Sequence, residues 1–371
     1  MEPGRIRRIL IVKLSALGDV AHALPVVDYL GKRAPGSAVD WVVDRRFAGL
    51  LEGHPGLRRV IPLDLKTWKS GWTSREVRRE AGDAVRLLRA GGYDAAFDIQ
   101  GNTKSGVVTW LSGAPLRFGF ARNGVRESPN LLFTNRKVPL RGEDRHIGRK
   151  YLRVVSAPFG GTFDPGEFRA TVATSPEDDE RAAATLRELA PGASHVVSVH
   201  PGTTWETKRM DASFWAGAIR LLREAYPSLG VLLSWGDEAE RREAERIRDL
   251  AAGGVALLPP LSLKGIAAVY RRCGYLMAPD TGPLHIAAAV GARTVSVFRA
   301  TDGSRNAPHG PTHRFLQAPM PCTACLRKRC DRDAECRESV RPEDVATTMA
   351  SLIDVPERNG RESPRSPGGV S

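Results

Sequence analysis

Short apolar runs and longer amphipathic stretches alternate along the chain. Residues 6–14 read IRRILIVKL, a β-branched run of the kind buried in a parallel sheet. From about residue 19 to 33, Leu and Val recur at helical spacing, and Pro35-Gly36 ends the stretch. Residues 38–44 and 58–64 predict two more strands. Residues 74–90 predict a helix with Arg and Glu on one face, and 93–101 a strand running into a loop. The second part repeats the scheme. Strands are expected at 195–202, 229–236, 255–259, 274–280 and 292–298, the last closing the set. Helices are expected at 211–227, 237–253, 262–273 and 282–291. This alternation predicts an α/β protein made of two doubly wound parallel sheets covered by helices. The domain boundaries are expected at 1–170 and 171–355, with the Pro-, Gly- and acid-rich stretch 157–180 as the linker. The tail 356–371 has no periodicity and is expected to be disordered.

Composition narrows the class. Apolar residues make up 42% and charged residues 26%, the balance of a soluble globular protein. No apolar run approaches the roughly 18 residues that span a membrane. The first apolar segment has no small-residue cleavage site, so no secretory signal is expected. Four of the five cysteines crowd into one stretch rather than forming a secreted framework, which favours a reducing cytoplasm. Charge is more informative. Residues 1–170 hold 29 Lys and Arg against 17 Asp and Glu, a net +12 of the chain's +13. Such asymmetry suggests an anionic partner for the first half. Nucleic acid, an anionic membrane surface and a phosphorylated small substrate all fit.

Open parallel sheets bind ligands at the carboxyl ends of their strands, and four polar loops stand at such ends. The first is Ser15-Ala16-Leu17-Gly18-Asp19, with His22 one turn on. Asp19 is either a helix cap or a general base facing a cleft. The second, Asp98 to Ser105, clusters Gln100, Asn102, Lys104 and Ser105. The third, His200 to Arg209, offers Thr203, Thr204 and Lys208, hydroxyls and a cation suited to a diphosphate. The fourth is Asp280-Thr281-Gly282-Pro283-Leu284-His285. Here a helix start follows a strand, and its free N–H groups suit an anion. Neither GxGxxG nor a Walker A loop is present.

Together these loops resemble glycosyltransferase family 9, the lipopolysaccharide heptosyltransferases, from residue 6 to about 350. The family's LGDxxH loop is Leu17 to His22, its QGxxKS loop Gln100 to Ser105, and its DTGxxH loop Asp280 to His285. Two motifs depart from the pattern. Phe298-Arg299-Ala300-Thr301-Asp302-Gly303 stands for F-G-P-T-D-P, and Lys208-Arg209-Met210-Asp211 keeps only the cation of K-[RH]-W-P. Pro62 to Trp72, the Arg126-Glu127 pair, and Trp235-Gly236 with Glu240 resemble the heptosyltransferase I branch.

The resemblance implies a GT-B fold, two Rossmann-like domains facing across a cleft. The acceptor would sit in the first, and the sugar nucleotide in the second. It implies an inverting transfer of heptose from ADP-heptose to the Kdo region of the lipopolysaccharide inner core, at the cytoplasmic face of the inner membrane. Asp19 would be the base. Lys208, Thr203, Thr204 and the N–H groups at Thr281 and Gly282 would hold the leaving diphosphate, with Asp280 and His285 beside them. Adenosine would rest near Glu240 and Leu261. Lys66, Lys69, Gln100, Lys104 and Arg126 would meet the anionic Kdo-lipid A acceptor, and nucleic acid would not be a partner. Trp68 and Trp72 would meet sugar or lipid, or pack in the core. A heptosyltransferase II type or another family 9 transferase is the alternative within the family. A sugar-nucleotide epimerase or a noncatalytic nucleotide-sugar binder is the alternative outside it, and neither needs a base aimed at an acceptor.

No metal or cofactor is expected for the reaction. Separately, Cys322, Cys325, Cys330 and Cys336 are spaced C-x2-C-x4-C-x5-C, and the opening pair has the spacing of a zinc site. Reduced thiols and redox pairing are the other readings. Cys273 is expected in the core.

Overall fold

The computed structural model describes residues 6–71 and 73–355. Trp72, the tail 356–371 and the side chain of Lys69 lie outside the described residues, and so do the expectations placed on them. The first sheet holds β1 (Arg8–Val12), β2 (Ala38–Asp44), β3 (Arg59–Leu63), β4 (Ala95–Asp98), β5 (Leu116–Phe120) and β6 (Arg136–Val138). The second holds β7 (His195–Val199), β8 (Leu229–Leu233), β9 (Val255–Leu257), β10 (Gly274–Pro279), β11 (Arg293–Phe298) and β12 (His313–Gln317). Every pairing is parallel. The orders are β3-β2-β1-β4-β5-β6 and β12-β11-β10-β7-β8-β9, so both sheets wind the same way. In each, the winding reverses beside the first strand, between β1 and β4 and between β7 and β10. A crevice opens there at the carboxyl ends. The four polar loops are the loops after β1, β4, β7 and β10, so topology delivers all four to the two crevices.

Central strands are buried on both faces. In β1, Ile9 to Val12 are fully enclosed, as a sheet covered on both sides requires. One apolar cluster runs from the first half, through Ile9, Trp41 and Phe97, into the second, through Tyr270, Leu276 and Leu284. Phe168 and Val172, on the connecting segment, are buried in it.

Three expectations need correction. The helix expected over 19–33 is two, Leu17–Ala23 and Pro25–Arg33, because Pro25 starts the second and supplies no N–H to continue the first. The second sheet does not close at 298. β12 pairs with β11 beyond it, and its mixed sequence HRFLQ hid it from a search for apolar runs. The linker ends before 180. Ser175 caps helix Pro176–Leu189, with Pro176 in its first turn beside Glu177, Asp178 and Asp179. Those acids are favoured at a helix N-terminus, and the Ser-x-x-Asp spacing was a readable start signal.

Candidate active site

Asp19 lies in the first turn of helix Leu17–Ala23, directly after β1. Its carboxylate is one-third exposed, and Oδ2 accepts the Ala16 N–H at 3.3 Å. Both sequence readings of Asp19 therefore have a physical basis, since it meets the helix start and faces solvent. Two further groups address it. Lys13 Nζ lies 3.6 Å from Oδ2, and the Tyr151 hydroxyl donates to Oδ1 at 3.2 Å. Lys13 is buried, and its ammonium stands 4.6 Å over the Tyr151 ring. Burial pulls the Lys13 ammonium below its usual range, against the attraction of Asp19 and Asp98. Burial, and then Asp19, push the Tyr151 phenol well above its usual range, so it remains a hydrogen-bond donor.

Sequence reasoning missed both neighbours. Lys13 carried a signal, because a lysine inside a buried apolar strand needs a partner. Tyr151 carried none.

The loop after β4 is organised around Asp98, which is fully buried. Its carboxylate accepts from Gln100 N, Gly101 N, Ser105 Oγ and Asn130 Nδ2. Burial raises its carboxyl despite these bonds. Gln100 is buried too, and its Oε1 accepts the Leu14 and Ser15 N–H groups at 3.1 and 3.2 Å. Through these two bonds Gln100 holds the loop that carries Asp19. Lys104 and Arg126 are exposed on the rim. Arg126 is near enough to act electrostatically on Lys13 and Tyr151. Lys66 is exposed on helix Leu65–Gly71, which follows β3 at the far edge of the same rim. Trp68 on that helix packs against the core beside Leu65 and Ala84, so it is a packing residue.

In the second half, Asp280 is the hub. Lys208 Nζ lies 2.7 Å from its Oδ2, and Thr301 Oγ1 donates to the same oxygen at 2.7 Å. His285 Nε2 lies 3.7 Å from Oδ1. Burial alone would raise the Asp280 carboxyl. The His285 and Lys208 contacts outweigh it and hold the group well below the usual carboxylate range. Lys208 also stands 4.7 Å over the Trp205 ring. Thr203 is buried, and its hydroxyl donates to the Asp280 carbonyl at 3.0 Å, which ties the loops after β7 and β10 together. Thr204 is exposed at the edge. Helix Gly282–Ala289 begins at Thr281 with no side chain capping its first N–H groups, and Pro283 stands in its first turn. Those groups are available to an anion.

Further along, Glu240 Oε2 accepts the Gly236 N–H at 2.7 Å and lies 3.8 Å from His200. Burial raises its carboxyl. Leu261 is half-buried against Leu232 and Leu258.

The two crevices meet at glycines. A Cβ on Gly18 would lie 2.8 Å from His285 Cδ2, and one on Gly282 would lie 2.8 Å from Leu17 Cδ2. Asp19 and the Asp280–Lys208 pair are thereby brought to one cleft, a general-base candidate on one wall and an anion cradle on the other. Behind this contact lies a further cleft of ≈ 750 Å³, lined by His22, His146, His285, His309 and His313. Neither Asp19 nor Lys208 lines it.

The chain is similar to proteins of one family. The family model for glycosyltransferase family 9 (heptosyltransferase) matches residues 83–334. Lipopolysaccharide heptosyltransferase 1 of Pseudomonas aeruginosa is 32% identical over 94% of this chain and 99% of its own length. Its counterpart in Escherichia coli K12 is 28% identical over 84% of this chain and 94% of its own. The structure of the E. coli heptosyltransferase WaaC with ADP superposes with a TM-score of 0.74 at 27% identity, covering 93% of this chain and 99% of that one. Two sheets wound alike, a carboxylate and a cation-bearing cradle facing each other, and relatives matched along their whole length lead to one assignment: the chain belongs to glycosyltransferase family 9, the heptosyltransferases, and is an enzyme of that kind.

Proposed function

We propose that this chain transfers a heptose from ADP-heptose to the Kdo region of the lipopolysaccharide inner core, with inversion at the anomeric carbon. The observation that carries the proposal is the contact of Gly18 with His285, which sets the Asp19 loop against the Asp280 loop, where Lys208 of the loop after β7 pairs with Asp280. Asp19 takes the proton of the acceptor hydroxyl as that oxygen bonds to the anomeric carbon. The bond from that carbon to the diphosphate breaks on the opposite side. The departing negative charge is met by Lys208 and the free N–H groups at the start of helix Gly282–Ala289. Asp280 positions Lys208, and Lys13 and Tyr151 position the Asp19 carboxylate. Thr203, Thr204, Glu240 and Leu261 belong to the nucleotide side. Lys66, Lys69, Lys104 and Arg126 draw the anionic acceptor to the rim of the first sheet. No helix among the described residues is long and apolar enough to cross a membrane. We place the enzyme in the cytoplasm, in peripheral contact with the inner membrane that carries its lipid acceptor.

The test is an assay with ADP-heptose and Kdo2-lipid A. ADP release that depends on the acceptor, with heptose gained by the lipid, is the expected result. An isomerised sugar nucleotide and no acceptor dependence would assign an epimerase instead.

A further inference from the structure

The cysteines near the end of the chain play no part in the transfer, yet they are gathered with care. Cys322, Cys325, Cys330 and Cys336 are all free thiols, and all four line one small cavity of ≈ 20 Å³. That volume is about what a single water or ion needs. Thr207, Arg299, Ala300, Thr323, Arg332 and Asp333 complete its wall. Cys273, the remaining cysteine, is buried elsewhere in an apolar cluster.

The backbone is shaped around the first pair. Ala324 and Leu326 have φ of 62° and 56°, and they are two of the three non-glycine residues with positive φ among the described residues. Such conformations are costly for residues with a Cβ, and they persist where the surroundings demand them. Here they fold Cys322-Thr323-Ala324-Cys325-Leu326 into a tight knuckle, held by the Leu326 N–H on the Ala300 carbonyl at 2.9 Å.

The surroundings are densely charged, with a slight basic excess. Arg299 is fully buried, ion-paired with Asp333 at 2.6 Å, and its Nε is buried without a hydrogen-bond partner. Arg327, Lys328, Arg329 and Arg332 lie between Cys325 and Cys336, interspersed with Asp331, Asp333 and Glu335. Four thiolates around a divalent ion carry a net charge of −2, and Arg299 and Arg332 in the cavity wall place positive charge beside it.

We infer that Cys322, Cys325, Cys330 and Cys336 bind one Zn²⁺ ion in a closed, four-thiolate structural site. Four S–H protons leave to solvent as four Zn–S bonds form, and no redox step is involved. As the side chains now stand, no three Cys, His, Asp or Glu residues among the described residues form a ready ligand set. Binding therefore draws the sulfurs inward by side-chain rotation across the cavity they share. With four protein ligands the ion has no open position, so it braces structure and does not touch substrate.

What it braces is visible. Thr207 Oγ1 donates to the Arg327 carbonyl at 2.6 Å, Arg299 donates to the Arg209 carbonyl, and Lys328 stands 5.5 Å over the Trp205 ring that also receives Lys208. The knuckle is thus the support beneath the loop that carries Lys208.

The test uses the full chain, purified under reducing conditions from cells supplied with zinc. Elemental analysis is expected to find about one zinc per chain. Titration of the thiols with a mercurial, read by a zinc-sensitive dye, should release it. Replacing zinc with Co²⁺ should give the intense thiolate-to-metal absorption of a tetrahedral sulfur site, a reading that needs no variant. Cys325→Ser and Cys330→Ser should lose the ion, whereas Cys273→Ser should keep it. Chelated protein should melt earlier and recover on adding Zn²⁺. Chain that neither carries nor takes up stoichiometric zinc overturns the inference. So does zinc retained by the Cys325→Ser/Cys330→Ser double variant, iron found in zinc's place, or a disulfide within the cluster in protein handled without oxygen.

Discussion

Gly18 and His285 touch across the cleft so closely that one methyl group on the glycine would stand 2.8 Å from the imidazole Cδ2. The ring has little room to retreat. His22 packs on it with centroids 3.9 Å apart, and Asp280 lies 3.7 Å from its Nε2. Gly18→Ala must therefore push the loops after β1 and β10 apart. We expect a stability loss of about 1–3 kcal/mol, the usual range for overpacking. The fall in kcat should be larger than thermal unfolding explains. A variant with normal kcat and normal melting would show that the contact is loose.

Asp19→Asn removes the base while keeping the shape. Turnover should drop at least ~100-fold, with ADP affinity unchanged. Lys13 would lose the carboxylate 3.6 Å away, and a buried ammonium without its counter-charge is costly. The variant should therefore melt lower as well. Lys13→Met in the same background should recover stability without recovering turnover. Steady-state kinetics, ADP titration and melting curves separate the two effects.

Lys208→Ala acts on two partners. It removes the cation expected to meet the diphosphate, and it leaves Asp280 buried with only Thr301 and His285 beside it. The KM for ADP-heptose should rise and kcat should fall, together with a loss of about 3 kcal/mol in stability, the scale for breaking a buried pair. Lys208→Ala/Asp280→Asn should regain most of the stability and none of the activity. Unchanged sugar-nucleotide kinetics in the single variant would remove Lys208 from the reaction.

The basic rim should act only on the acceptor. Charges there act over about 8 Å at physiological salt. Neutralising Lys66, Lys69 and Arg126 together should raise the acceptor KM and flatten its salt dependence, leaving the KM for ADP-heptose in place. Equal movement of both constants, or of neither, would make the +12 of the first half a matter of composition.

Acid should destabilise the fold. Burial, then the neighbouring His309, lower the His146 imidazole to about 3, and burial lowers His200 and His313 to about 4. Each binds its proton less well folded than unfolded. Between about pH 6.5 and pH 4 the unfolded chain holds more protons, so stability falls as pH falls through that window. Melting temperature should decline steadily from pH 7 to pH 5, and less steeply in His146→Gln. A flat profile in the native chain would show that these rings protonate without cost.

The periodicities of the chain were enough to predict an α/β protein with two parallel sheets, and loop chemistry picked out the four loops at the crevices. Both are local properties. A buried parallel strand must be an apolar run, and the turn after it must carry glycine and polar groups, so a dozen adjacent residues contain the signal. β12 and the end of the linker escaped because their signals are weak or lie in capping positions. The partnerships within the site are of another kind. Tyr151 reaches Asp19 across 132 positions of sequence, and Thr203 reaches Asp280 across 77. No spacing rule connects residues so far apart. Their meeting follows from strand order, which lays β1 beside β4 and β7 beside β10, and from two glycines that let the halves close. Gln100 shows the difference most plainly. Its position after β4 was readable along the chain. That its amide oxygen turns inward to Leu14 and Ser15 was decided by packing, which sets it against two backbone N–H groups just beyond β1.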